Sequence, residues 1–231
     1  MAGRAWTGQP EALDAQVSQD AGTRKLLGDL AAAEAGPVLP VYILDDETPG
    51  DWKMGGAQRW WLHHSLEALA KDLKALGSRL ILRRGRAVEV LQALSKEAGA
   101  EAIHAIRHYE PWWRKAEDEL GDRLCLYDGN HLARPELVTT GSGKPFRIYS
   151  AFWKGLQGHM PPEHPLEAPD ALTAPDRWPA SDKLADWDLL PTKPDWSTGF
   201  DADWTPGEAT ARERMADFVA KAAAYDTARN M

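Results

Sequence analysis

Leucines at positions 62, 66, 69, 73 and 76 recur in alternating steps of four and three. That spacing puts them on one stripe of a helix, so residues 58–76 are predicted helical. Gly77 stands where a helix-ending glycine belongs. Just upstream the pattern differs. Residues 37–44 (PVLPVYIL) form a short, apolar, β-branched run closed by Asp45 and Asp46, as expected of a strand buried on both faces. Residues 79–83 (RLILR), 102–107 (AIHAIR) and 123–127 (RLCLY) also read as strands. Between them, Val88, Leu91, Leu94 and Ala98 line a helix stopped by Gly99, and 112–120 is another helix. Residues 23–35 are helical in pattern, with Leu26, Leu27 and Leu30 apolar, whereas 12–20 show no clean period.

Strands alternating with helices of about a dozen residues predict βαβ units. The expected fold class is therefore α/β: a Rossmann-like parallel sheet with helices on both faces. Ligands of such sheets collect at the carboxyl ends of the strands. Here those ends are residues 45–56, 84–86, 108–113 and 128–131.

Beyond Lys154 the pattern breaks. Nine of the 16 prolines lie between Pro161 and Pro206. Proline fixes φ and removes a donor, so this stretch is expected to run as an irregular linker over a surface. A further helix is predicted after Gly207, with Ala211, Met215, Phe218, Val219 and Ala222 on one side. These readings divide the chain into an atypical segment (1–36), an α/β domain (37–135), a linker (136–207) and the first helix of another domain (208–231).

Composition narrows the class. The 231 residues are 43% hydrophobic and 27% charged, an ordinary globular balance. A net charge of −8 argues against a wholly basic nucleic-acid glove. No apolar run approaches the roughly 20 residues of a membrane span, and the start MAGRAWTGQPEALD does not read as a signal peptide. The single cysteine, Cys125, fits a reducing, cytoplasmic setting and reads as a buried, inert thiol. Eleven residues are Trp, more than Tyr (5) and Phe (4) together.

Candidate chemistry is sparse. Gly141-Ser-Gly-Lys144 lacks the first glycine and the final hydroxyl of a phosphate loop, since Val138 and Pro145 occupy those places, so a simple turn is the better reading. His104 and His108 lie about 13 Å apart along a strand, too far for one ion. His63 and His64, neighbours on a helix, are expected to point apart, and no metal site is expected. Nothing marks a nucleophile elbow. The pairs Trp60-Trp61 and Trp112-Trp113 open helices, where packing against the sheet competes with flanking a flat ligand in the crevice.

Several stretches resemble the DNA photolyase/cryptochrome family. These are Val38-Leu-Pro-Val-Tyr-Ile-Leu-Asp-Asp46, Gly55-Gly-Ala-Gln-Arg-Trp-Trp-Leu-His-His-Ser-Leu66, Tyr109-Glu-Pro-Trp-Trp-Arg114 and Thr140-Gly-Ser-Gly-Lys-Pro-Phe-Arg-Ile-Tyr-Ser-Ala-Phe-Trp-Lys154. The last, similar to the family's T-G-S-G pattern, is the most specific. Leu190-Pro-Thr-Lys-Pro-Asp-Trp196 and Trp204-Thr-Pro-Gly-Glu208 resemble the inter-domain linker.

The resemblance implies the antenna half of a two-domain flavoprotein that repairs pyrimidine dimers with light. In such proteins an α/β domain holds an antenna chromophore (a folate, deazaflavin or flavin). A helical domain holds FAD and takes the damaged base out of duplex DNA. It further implies that Asp45, Asp46, Lys53, Met54, Gly55, His108, Glu110 and Trp112 border the chromophore crevice. Trp112-Trp113 stand where folate-binding members carry Asn-Glu, which favours a deazaflavin or a flavin over folate.

Two departures follow. The family opens with a strand and W-F-R-x-D-L-R, which residues 17–29 do not match, so the central strand is unassigned and residues 16–18 are a weak substitute. The FAD-binding residues, electron-transfer tryptophans and DNA-contacting surface have no counterpart in the chain. It is therefore expected to be inactive alone, to reach DNA only through another domain, and to self-associate through its last helix. A different reading makes it a non-catalytic remnant or interaction module that binds no chromophore. A third, adenine-nucleotide binding, needs a glycine-rich first turn that the sequence lacks.

Overall fold

In the computed structural model the described residues are 4–8 (backbone only), 36–128, 131–161 and 169–224. Five strands form one wholly parallel sheet: β1 (Arg4–Gly8), β2 (Val38–Leu44), β3 (Ile81–Arg84), β4 (Ile103–Ile106) and β5 (Leu124–Tyr127). Their order is β3-β2-β1-β4-β5, the doubly wound arrangement. Between the strands lie α1 (Gly56–Ala75), α2 (Ala87–Ala98) and α3 (Pro111–Leu120). Later come α4 (Tyr149–Gln157), a single turn α5 (Phe200–Asp203) and α6 (Glu208–Lys221).

β2 shows why the sheet carries helices on both faces. All seven of its residues are buried. Successive side chains point to opposite faces. Val38, Tyr42 and Leu44 join Leu62, Leu66 and Leu73 of α1, while Leu39, Val41 and Ile43 join Leu91 and Leu94 of α2 and Trp113 and Ala116 of α3. The leucine stripe of α1 is thus the cover of one face. Gly99 ends α2 with φ 65°, a left-handed cap that glycine adopts without strain.

The central strand is the main correction. Residues 4–8 (RAWTG) pair in parallel with β2 and with β4, Trp6 lying opposite Pro40 and His104. Segment 1–36 therefore gives the sheet its middle strand, in the place that residues 16–18 were a weak substitute for. Those residues and the predicted helix at 23–35 lie outside the described residues. Cys125 is half-buried rather than buried, because β5 is the sheet's edge and each of its residues is only partly covered.

The proline-rich chain is tied to the α/β core by its backbone. Leu172 N–H donates to Leu76 O at 2.9 Å, Val38 N–H to Thr173 O at 3.0 Å, and Asp182 N–H to Leu82 O at 2.9 Å. Leu172, Trp187 and Leu189 are buried beside Tyr42 and Leu80. Residues 180–182 thereby cover the edge that β3 would otherwise expose. The 141–144 segment is a turn: Thr140 N–H donates to Lys144 O and Gly143 N–H to Thr140 O, both at 2.8 Å. Met215, Phe218 and Val219 of α6 are exposed. Among the described residues no helix is long and apolar enough to cross a membrane.

Candidate functional site

The chain reverses direction across the sheet at β1, whose neighbours β2 and β4 lead to opposite flanks. The carboxyl ends of β2 and β4 flank that point, roughly 10 Å apart at two strand spacings. The expected site residues fall into two groups there, Asp45 to Gly55 after β2 and His108 to Trp112 after β4. Among the described residues no hydrogen bond or ion pair joins the groups.

In the β2 group the carboxylates are already engaged. Asp45 is buried, and its Oδ1 accepts Glu47 N–H at 3.0 Å and Thr48 N–H at 2.9 Å. Its Oδ2 accepts the Thr48 hydroxyl at 2.5 Å and Ala87 N–H at 2.8 Å. Four donors saturate the carboxylate, so Asp45 fastens the loop to the head of α2 and offers nothing to a ligand. Asp46 pairs with Arg59 of α1 and, at 3.4 Å, with Arg84. Arg59 also donates its Nε–H to Met54 O at 3.2 Å. Met54 lies in the α1-side core. Lys53 and Gly55 remain at the surface, Gly55 N–H donating to Gln58 Oε1 at 2.9 Å where α1 begins. Trp196 lies over the next residue, its Cζ2 3.1 Å from where a Cβ on Gly56 would sit.

The β4 group keeps more capacity. His108 Nδ1 lies 3.8 Å from Glu110 Oε2. Burial holds the imidazole below its ordinary value of 6.5, the Glu110 charge working against that and His131 with it. Glu110 precedes Pro111, which opens α3 where a missing N–H costs nothing. Glu110 Oε2 and Trp112 Nε1 are buried with no hydrogen-bond partner among the described residues. Buried polar atoms are normally satisfied, so these two keep hydrogen-bonding capacity that their own surroundings leave unused. Trp112 is half-buried beside the core and Trp113 is fully in it. The tryptophan pairs thus mainly pack: Trp60 is buried, edge-on to Phe200 at 5.3 Å, and Trp61 is edge-on to Trp204 at 5.9 Å.

Sequence reasoning did not single out the rim of this flank. The Tyr109 hydroxyl donates to Glu136 Oε2 at 3.2 Å, and the ring stands edge-on to His131 at 4.8 Å. Burial first, then the Glu136 charge, raises the Tyr109 phenol above 10.0. A backbone hydrogen bond, then the Tyr109 hydroxyl, holds Glu136 low. The same reading placed His63 and His64 apart, yet both reach one carboxylate. His63 Nε2 is 3.6 Å and His64 Nδ1 3.2 Å from Glu67, because i+4 and i+3 neighbours share a helix face. Among the described residues no three His, Cys, Asp or Glu side chains are grouped to hold a metal ion.

Among the described residues, two cavities stand out, and only the first touches an expected site residue. One of about 40 Å³, between α2, α3 and the β4–β5 pair, is lined by Leu91, Ile106, His108, Trp113 and Glu117. That volume has room for a water or two but not for a chromophore. The other, about 350 Å³, lies at the opposite end of the sheet among Pro37, Glu97, Arg177 and Trp178. It adjoins none of the expected site residues.

The sequence model of the DNA photolyase family matches residues 26–170. A deoxyribodipyrimidine photo-lyase of Agrobacterium fabrum is 42% identical over 198 residues, which cover 82% of this chain and 41% of that protein. Cryptochrome-1 of Arabidopsis thaliana is 31% identical over 202 residues, 82% of this chain and 29% of that protein. The crystal structure of a bacterial class III photolyase from Agrobacterium tumefaciens superposes with a TM-score of 0.75 at 38% identity, covering 94% of this chain and 44% of that one. The chain therefore spans less than half the length of these relatives. With a match across more than half of its own residues and a shared doubly wound sheet, it belongs to the DNA photolyase family.

Proposed function

We propose that this chain is the antenna-chromophore part of a light-driven photolyase that repairs pyrimidine dimers in DNA. One observation carries the reading: after β4, on one side of the sheet's crossover point, Glu110 Oε2 and Trp112 Nε1 are both buried and without a hydrogen-bond partner among the described residues. A heteroaromatic ring that carries both an N–H and a carbonyl matches that pair, the carboxylate accepting and the indole donating. Flavins and deazaflavins have such an edge, and we favour them over folate. His108 backs Glu110, Lys53 supplies a cation at the rim, and the head of α1 at Gly55 favours an anionic group. When bound, the chromophore supplies absorption of near-ultraviolet or blue light and passes excitation on.

The FAD site and dimer splitting are assigned to the part of the relatives that this chain does not match. The exposed apolar residues of α6, Met215 and Val219 among them, are where that part or a second copy would pack. We place the protein in the cytoplasm because a lone Cys125 forms no internal disulfide.

The test is to incubate the purified chain with riboflavin, a 5-deazaflavin and a reduced folate in turn. Absorbance or fluorescence retained after gel filtration is the expected result with a flavin-type ring. A chain that melts cooperatively yet retains none of the three overturns the antenna reading and favours an interaction module.

A further inference from the structure

Residues 138–161 carry no Asp or Glu, but they hold Lys144, Arg147 and Lys154. In a chain of net charge −8 this is a local reversal of sign. All three cations are exposed, and none is ion-paired among the described residues. The same stretch displays Ile148, Tyr149, Phe152 and Trp153, exposed by 67, 74, 37 and 44%. Tyr149 and Trp153, one turn apart on α4, hold their rings 14° from parallel with centroids 6.4 Å apart.

This surface is held in place from below. Phe146 packs so tightly on Gly155 that an added Cβ would meet its Cε2 at 3.0 Å, with Val138 close behind. Lys144 N–H donates to Thr140 Oγ1 at 3.1 Å, closing the turn that bears the first cation. With Phe146 and Val138 seated against α4, Tyr149 and Trp153 are left facing solvent, beside cations that meet no anion among the described residues.

Nearly parallel aromatic faces flanked by unpaired cations are how proteins hold single-stranded nucleic acid: bases stack on the rings and phosphates meet the cations. An apolar partner alone would not call for three cations, and an acidic polypeptide would not call for paired ring faces. We propose that the surface formed by the Thr140–Lys144 turn and α4 binds single-stranded nucleic acid, with bases on Tyr149 and Trp153 and phosphates at Lys144, Arg147 and Lys154. This places a nucleic-acid contact on this chain itself, on residues other than those expected to border the crevice.

The test uses the whole chain and a fluorescein-labelled oligothymidylate, read by anisotropy at low salt. Binding is expected to weaken with salt with a log–log slope of about −2, for three cations at roughly 0.7 each. Tyr149→Ala and Trp153→Ala should each weaken it about 10-fold, the effect of one lost stack. Lys144→Glu with Arg147→Glu should abolish it. All four positions are exposed, so the thermal melts should match that of the parent chain. No binding by a chain that melts cooperatively overturns the proposal. So does binding unchanged by the two aromatic substitutions, or equal affinity for a labelled polyglutamate, which would identify an acidic-protein surface instead.

Discussion

Asp45 Oδ2, at the end of β2, accepts the backbone N–H of Ala87 at 2.8 Å, so the first residue of α2 is tied to a strand 42 positions earlier. Asp45→Ala removes that bond and three others and strands the buried Ala87 N–H. The cost should be about 3 kcal/mol, since an unsatisfied buried group costs about 1–3 kcal/mol and water recovers part of the rest. For a chain of this size the melting temperature should fall by roughly 6–12 °C. An unchanged melt would show that the carboxylate is free to serve a ligand after all.

Trp187 is the linker's anchor. It is buried, its ring centroid lies 6.0 Å from that of Tyr42, and its Nε1–H donates to Asp182 Oδ2 at 3.2 Å. Trp187→Ala should cost about 3–5 kcal/mol, whereas Trp187→Phe should keep most of the packing and lose mainly the hydrogen bond. Urea unfolding measures both. Limited proteolysis of the alanine variant should cut first between 170 and 190, and equal resistance in both chains would show that this linker is not held by its indole.

What the sequence made legible follows from how local each signal is. The α1 stripe, the β2 run and the Gly99 stop need only neighbours within one element, and they read directly. β1 did not, because RAWTG is short and mixed, and its standing as the central strand comes from pairing with residues more than thirty positions away. The site divides the same way. Its place at the strand ends follows from the α/β pattern, but Asp45 and Glu110 look alike in sequence. Only the fold shows that one carboxylate is saturated by Ala87 N–H and its own loop while the other keeps a buried oxygen without a hydrogen-bond partner among the described residues.

Acid should weaken the fold in two stages. Burial holds both His63 and His108 below 6.5, with Glu67 and Glu110 opposing it. The unfolded chain therefore binds more protons than the folded one, and stability complete above pH 6.5 is lost as the pH falls through that value. Each histidine contributes a slope of at most about 1.4 kcal/mol per pH unit. Glu136, held below 4.5, adds a separate loss only below that pH. Denaturant titrations at pH 7.5, 6.0 and 5.0 measure the first stage. His108→Gln should flatten it, and an identical slope in that variant would remove His108 from the account.

Gly56 tests whether the chain after Asp195 is clasped to the head of α1. Trp196 lies 3.1 Å from where a Cβ on Gly56 would sit, and it leads through Phe200, at 5.6 Å, to the buried Trp60, a further 5.3 Å on. Gly56→Ala asks the indole to give by a few tenths of an ångström, and Trp196 is 40% exposed, so it can. The gain in helix propensity, up to about 1 kcal/mol, offsets that contact, and stability should change little. Gly56→Val adds two more carbons at the same point and should push Trp196 off the helix, raising quenching of tryptophan fluorescence by acrylamide. Since Trp60 stays buried on α1 itself, the melting temperature should fall far less than for Trp187→Ala. Unchanged quenching in the valine variant would show that the indole does not rest on Gly56 in solution.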